Sequence, residues 1–104
     1  MPTYYLIHSS GERLARVHTY RIYDKNPDKS IQDFGVDIDV RAFYEIIISM
    51  GSSKWEAFAE GIENIQNLRD TFHQRNLDDP DPLIRHELMK ICAVHKELSF
   101  TTIF

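Results

Sequence analysis

The spacing of apolar residues along the chain changes at Asp39. Before this residue, apolar side chains alternate with polar ones, as they do from Phe34 to Ile38. After it, they recur every three or four positions, at Phe43, Ile46, Ile47 and Met50. A period of two is typical of a half-buried strand, and a period near 3.6 is typical of an amphipathic helix. The pattern therefore predicts a β-rich part up to about residue 39, followed by a mostly helical part over about residues 40–98.

Three strands are predicted in the first part, over residues 3–8, 13–23 and 31–38, because these segments are rich in strand-forming residues. A turn at residues 9–12 joins the first two strands into a β-hairpin. A polar loop over residues 24–30 leads to the third strand.

Local sequence signals indicate where the first two helices begin. Asp39 is placed to cap a helix over about residues 40–50, and Gly51 suits the left-handed conformation that often follows a helix end. Ser53 and Glu56 have the spacing of a capping box, which predicts that the second helix begins at Ser53.

The second and third helices, over about residues 53–76 and 82–98, each carry one apolar stripe. The stripe of the second helix consists of Trp55, Phe58, Ile62, Ile65, Leu68 and Phe72. The stripe of the third helix consists of Ile84, Leu88, Ile91, Cys92 and His95. The sequence thus predicts a single α+β domain over residues 1–104, in which two or three helices pack on a small antiparallel sheet. The sheet has three N-terminal strands, and the C-terminal segment is a candidate fourth.

The last six residues, 99–104, alternate between two faces, have high β propensity and carry no charged side chain. A strand of this kind, left exposed at an edge, promotes association with other chains. We therefore expect it to be paired, either with the domain's own sheet or with a second subunit. The second arrangement predicts a homodimer.

Composition narrows the class of protein without identifying an activity. The chain has 104 residues, 42% of them hydrophobic, and a formal net charge of −4, which is typical of one globular domain. The mild acidity argues against a dedicated nucleic-acid-binding protein. Cys92 is the only cysteine, the first residues do not resemble a signal peptide, and no apolar run approaches the roughly 20 residues that span a bilayer. We expect a cytoplasmic protein that does not enter a membrane.

The hairpin carries the most concentrated set of candidate functional side chains. They are tyrosines and arginines: Tyr4, Tyr5, Arg13, Arg16, Tyr20, Arg21 and Tyr23. Both residue types are enriched at the hot spots of protein interfaces, although tyrosines also occur at sheet margins for structural reasons. We therefore expect a non-catalytic protein-interaction module, such as an inhibitor, an immunity-type protein or an adaptor. Its partner would contact these residues, and it would need no cofactor.

Two alternative functions remain open. Asp33 and Asp37 share one face of the third strand, away from the core, and Asp39 follows at its end. Converging carboxylates can hold a hard cation such as Mg²⁺, which would suit a small metal-dependent enzyme. A simpler interpretation is a solvent-facing strand with arginine partners on the neighbouring strand and one helix cap. The second alternative is a nucleic-acid-associated regulator that uses the hairpin arginines to contact phosphates.

Overall fold

The computed structural model describes residues 2–23, 30–75 and 79–104, with residues 22, 23, 30 and 31 described by their backbone alone. The strands are β1 (Thr3–His8), β2 (Arg13–Tyr23), β3 (Ser30–Ile38) and β4 (Leu98–Ile103). The α-helices are α1 (Val40–Ala42), α2 (Ser52–Gln74) and α3 (Asp81–Val94). The predicted α+β class and the order of elements are confirmed. Residues 24–29 of the predicted polar loop and the predicted helix end near residue 76 lie outside the described residues, whereas Ser30, predicted in that loop, begins β3.

The four strands form one antiparallel sheet in the order β3-β2-β1-β4. Gly11, in the turn between β1 and β2, has a φ of 92°, which a residue without a Cβ adopts easily. The C-terminal strand β4 pairs with β1 along its whole length, from Thr3 opposite Ile103 to His8 opposite Leu98. The prediction that this segment is paired is therefore confirmed for the domain's own sheet.

The core lies between one face of the sheet and the helices. The sheet contributes Tyr4, Leu6, Leu14, Ala15, Val17 and Phe34, all of which are buried. The stripe predicted for α2 is buried at Phe58, Ile62, Ile65 and Phe72, and partly buried at Trp55 and Leu68. The stripe predicted for α3 is buried at Ile84, Leu88, Ile91 and His95. Within the described residues, no helix is long and apolar enough to cross a membrane.

The helix that follows β3 begins as predicted but does not keep one geometry. The Asp39 carboxylate accepts a hydrogen bond of 3.0 Å from the Ala42 backbone N–H, which confirms the predicted cap. After α1, the chain forms a π-helical turn (Phe43–Ile47) and then a 3₁₀ turn (Ile48–Met50). Gly51 follows with a φ of 103°, in agreement with its predicted place at the helix end.

Two predicted helix boundaries are wrong. Helix α2 begins at Ser52, with Gly51 in the N-cap position and no side-chain cap, so Ser53 does not form the predicted capping box. Helix α3 ends at Val94 rather than near residue 98, because His95 adopts extended dihedral angles (φ −104°, ψ 95°). The His95 carbonyl then accepts from the Leu98 N–H and turns the chain into β4. No glycine or proline marks this stop in the sequence, and the residues that follow are ordinary helix formers.

Candidate functional site: the open face of the sheet

The face of the sheet opposite the helices carries the candidate surface, called the open face here. Side chains alternate between the two faces of a strand, so the neighbours of buried residues point to this side. Strand pairing places one continuous row across all four strands, in the order Asp37, Arg16, Tyr5 and Thr101. The sequence-predicted Tyr5 and Arg16 are thus adjacent, on the two central strands.

The arginines on the open face are held by specific contacts. An Arg16 side-chain N–H donates to an Asp37 carboxylate oxygen at 2.6 Å, which confirms the arginine partner predicted for this aspartate. The Arg13 guanidinium lies over the Tyr5 ring, 4.3 Å from its centroid, in a cation–π contact. Arg16 and Asp37 remain about half exposed, with side-chain exposures of 48% and 57%. The hydrogen bond from Arg16 lowers the pKa of Asp37 and so favours the charged form of its carboxylate.

A second part of the open face is aromatic and depends on a glycine. His18 lies opposite Gly35 in the strand pairing, and a Cβ at Gly35 would come within 3.1 Å of the His18 ring. The glycine therefore lets the ring lie close to the neighbouring strand. The His18 ring stacks on Tyr20 with 5.5 Å between centroids and 28° between planes. The open face thus presents two partly buried, oriented rings beside the arginines.

Tyr4, which the sequence analysis grouped with the partner-binding residues, does not lie on this surface. It is fully buried on the helix-covered face of β1, where its hydroxyl donates to the Asp81 carboxylate. Arg85 binds the same carboxylate through its Nε, at 3.0 and 3.2 Å from the two oxygens. Burial, together with the bond to Asp81, raises the pKa of Tyr4 well above its ordinary value. Tyr4 therefore anchors β1 to helix α3 instead of facing a partner.

The remaining predicted residues lie toward the far end of β2. Tyr20 is half-buried, and its hydroxyl donates to Asp33 at 3.3 Å. Arg21 is exposed and pairs with Gln32 of β3 in the strand register. The side chain of Tyr23 lies outside the described residues. The structure thus brings together Tyr5, Arg13 and Arg16, places Tyr20 further along β2, and separates Tyr4 from them.

Asp33 is buried, contrary to the prediction that it faces away from the core. Its side chain is only 1% exposed because two residues of helix α2 cover it. Arg69 forms a bidentate contact, with Nε at 2.9 and 3.1 Å from the two oxygens and a terminal nitrogen at 2.7 Å. The Nε2 atom of His73 lies 3.1 Å from the carboxylate, and the Phe34 backbone N–H donates to it at 2.8 Å.

These contacts determine the ionisation of Asp33. Burial by itself raises the pKa of this carboxyl group. The hydrogen bonds from Arg69, from the Phe34 N–H and from His73 outweigh burial and lower the pKa to about 2. Both carboxylate oxygens already accept several hydrogen bonds, so the arrangement pins the edge strand β3 to α2. Sequence reasoning missed Arg69 and His73, although their spacing of four residues places them on one side of a helix.

The three aspartates of the metal hypothesis have separate partners. Asp33 binds Arg69, Asp37 binds Arg16, and Asp39 caps α1. At the rise of an extended strand, Asp33 and Asp37 are about 13 Å apart along β3. Among the residues that the structure describes, no group of three or more His, Cys, Asp or Glu side chains is arranged to hold a metal ion.

A groove between the sheet and the helices is a second candidate surface, and it was not predicted. It has a volume of about 600 Å³ and lies between the end of β3, the helical segment after it, and α2. Its lining includes Ile38, Val40 and Tyr44, whose exposures are 38%, 62% and 64%. The π-helical turn at Phe43–Ile47 forms part of its wall, and such turns recur at functional sites. Val40 and Tyr44 are four residues apart, a spacing that could have marked this apolar side from the sequence.

Comparison with protein families, with curated proteins and with solved structures finds no match to this chain. Any inference about function therefore depends on the geometry of the molecule itself.

Proposed function

We propose that the protein is a non-catalytic protein-interaction module, of the inhibitor, immunity-type or adaptor kind, that binds a partner protein through the open face. The observation that carries this proposal is the open face itself. The described helices build the core against the other side of the sheet, and on this face the described residues present oriented tyrosine and arginine side chains. Tyrosine and arginine are the residue types that dominate binding energy at protein interfaces.

The contacts within the open face favour tight binding because they order its long side chains in advance. Arg13 rests on Tyr5, and Arg16 is fixed by Asp37. Immobilising a flexible side chain on binding costs about 0.5–1.5 kcal/mol, and much of that cost is already met in the free protein. A face of this kind suits a partner that offers acidic and apolar groups to the Arg13–Tyr5 pair.

The charge of the surface supports a protein partner over nucleic acid. The Asp37 carboxylate neutralises Arg16, and the chain as a whole carries a net charge of −4. Binding to a phosphate backbone depends on several unpaired cations that displace counterions. The open face has a mixed charge instead, and the stacked His18 and Tyr20 rings are only partly exposed.

The metal-dependent alternative has weaker support. It would require Asp33 to give up the bidentate Arg69 contact and Asp39 to give up its role as a helix cap. Each change would remove a contact that stabilises the fold.

The proposal is tested by affinity capture with three versions of the purified protein as bait. The first is the wild type. The second is Tyr5→Ala/Arg13→Ala, which removes the cation–π pair of the open face. The third is Tyr44→Ala/Arg75→Ala, which makes the same change in composition at exposed positions away from that face. Lysate of the source organism is applied with and without nuclease, and bound proteins are identified by mass spectrometry.

A protein retained by the wild type and by the Tyr44/Arg75 variant, but lost from the Tyr5/Arg13 variant, supports the proposal. Loss from the Tyr44/Arg75 variant alone would place binding at the groove and contradict the proposal. Retention that disappears on nuclease treatment would favour the nucleic-acid alternative. Thermal melting of all three baits confirms that differences in capture do not come from unfolding.

A further inference from the structure

The two edges of the sheet differ in how they are protected against pairing with another chain. The edge formed by β3 carries Asp33 and Asp37, and Arg69 of α2 reaches this strand to bind Asp33. Charges and covering side chains are the usual means of blocking an edge. The edge formed by β4 has no charged residue and no proline over Leu98–Ile103. Among the described residues, no strand pairs with its outer side.

Exposed apolar side chains also accumulate on this side of the molecule. Ile103 and Phe104, at the end of β4, are 48% and 86% exposed. Helix α3 exposes Met89 and Val94 to 60% and 59%, but Val94 lines a separate cleft between α2 and α3. The other exposed large apolar residues of the described chain line the groove: Ile38, Val40 and Tyr44. The C-terminal end of the unprotected edge is therefore apolar.

We propose that β4 binds the β4 strand of a second copy of this chain, in an antiparallel arrangement about a two-fold axis. A second copy is the occupant that the charges favour. When a strand pairs with itself, every residue faces its own mirror position, so a charged strand would bring like charges together near the axis. An uncharged strand such as β4 avoids this repulsion.

The alternation of faces restricts the register of the pairing. Residues directly opposite each other in an antiparallel pair lie on the same face, so the axis must pass through a residue rather than between two residues. An axis at Thr101 pairs Phe100 with Thr102, Ser99 with Ile103, and Leu98 with Phe104. This register centres the pairing on the uncharged segment 98–104.

The same register would extend the open face. Thr101 is the β4 member of the row that runs from Asp37 through Arg16 and Tyr5. With Thr101 on the axis, that row would continue into the second copy and produce one eight-stranded sheet with the helices of both copies on one side. The dimer is a separate claim from partner binding, because it depends on the strand edge and not on the tyrosine and arginine side chains.

Charge substitution at the axis tests this proposal. Thr101 is exposed, so Thr101→Lys and Thr101→Glu are tolerated in a single copy. In the dimer, each variant would place two like charges opposite each other and raise the dissociation constant roughly tenfold or more. Mixing equal amounts of the two variants would place a lysine opposite a glutamate and restore dimers. Gln74→Lys, at an exposed position of helix α2 near the opposite edge of the sheet, is the control.

Mass is measured by light scattering after size-exclusion chromatography, over a range of protein concentrations. We expect the wild type and Gln74→Lys at twice the 12.2 kDa of one chain, each Thr101 variant at 12.2 kDa, and the mixture as a dimer again. A wild type that stays monomeric at every concentration would overturn the proposal. So would a dimer that survives both Thr101 substitutions, or variants that stay apart when mixed although each retains the wild-type melting temperature.

Discussion

Replacing Asp33 with asparagine tests whether the buried carboxylate holds β3 against α2. The substitution keeps the size of the side chain and removes its charge, which Arg69 and His73 both contact. The pKa of Asp33 falls from 3.8 to about 2 in the folded protein, which corresponds to about 2 kcal/mol of stability above pH 5. Arg69 is half exposed and regains water when its partner is lost. We therefore expect Asp33→Asn to lower the free energy of unfolding by about 2–3 kcal/mol at pH 7.

The direction of the pKa shift of Asp33 determines how this loss of stability depends on pH. Because folding lowers the pKa of Asp33, its stabilisation is complete above pH 4–5 and disappears as the pH falls toward about 2. Urea denaturation of both proteins between pH 7 and pH 2 should therefore show two curves that converge in acid.

Asp37→Asn is the matched control for the Asp33 measurement. It is the same change on the same strand, but its ion pair is exposed to solvent, so its loss should lower the free energy of unfolding far less than the loss of Asp33. Equal losses for the two variants at pH 7 would refute the argument, as would a loss for Asp33→Asn that stays constant down to pH 2.

Four further substitutions test other parts of the fold by urea denaturation. In Gly61→Ala, the new Cβ would lie 2.5 Å from the Ile91 side chain. We therefore expect the free energy of unfolding to fall by about 1–2 kcal/mol, although alanine has a better helix propensity than glycine. No loss would mean that α2 and α3 are further apart. Burial lowers the pKa of His95 in the folded protein, so the free energy of unfolding of the wild type should fall as the pH drops below about 6.5. His95→Phe should flatten that decline. Parallel pH curves for the two proteins would contradict this. Asp39→Ala should lower the free energy of unfolding by about 1 kcal/mol because it removes the α1 cap, whereas Ser53→Ala should have little effect. A larger loss for Ser53→Ala than for Asp39→Ala would support the capping box at Ser53.

The spacing of apolar residues along the chain was enough to predict most of the fold, because the residues of the core recur at that spacing. The strands, the stripes of α2 and α3, and the pairing of β4 all depend on which side of a local element is apolar. The end of α3 was missed because the turn at His95 is determined by how β4 meets the sheet, and the local sequence permits more helix. The π-helical turn at Phe43–Ile47 likewise has no local sequence signal.

The candidate site was predictable in composition but only partly in position. Tyr4 and Tyr5 are adjacent in one strand, so they must point to opposite faces, and that rule alone could have removed one of them. The pairing of Arg16 with Asp37 follows from cross-strand position and was expected. The burial of Asp33 could not be predicted from alternation, because Arg69 and His73 reach it from a helix that is distant in sequence.

The most direct test of the proposed function is the dissociation constant between the captured partner and variants of this protein, measured by titration calorimetry. We predict that Arg13→Ala and Tyr5→Ala each weaken binding by about tenfold or more, as hot-spot residues do, while Tyr44→Ala and Arg75→Ala leave it unchanged within about twofold. Affinity that is unchanged in both open-face variants, or that falls only with Tyr44→Ala, would contradict the claim that the open face of the sheet is the binding surface.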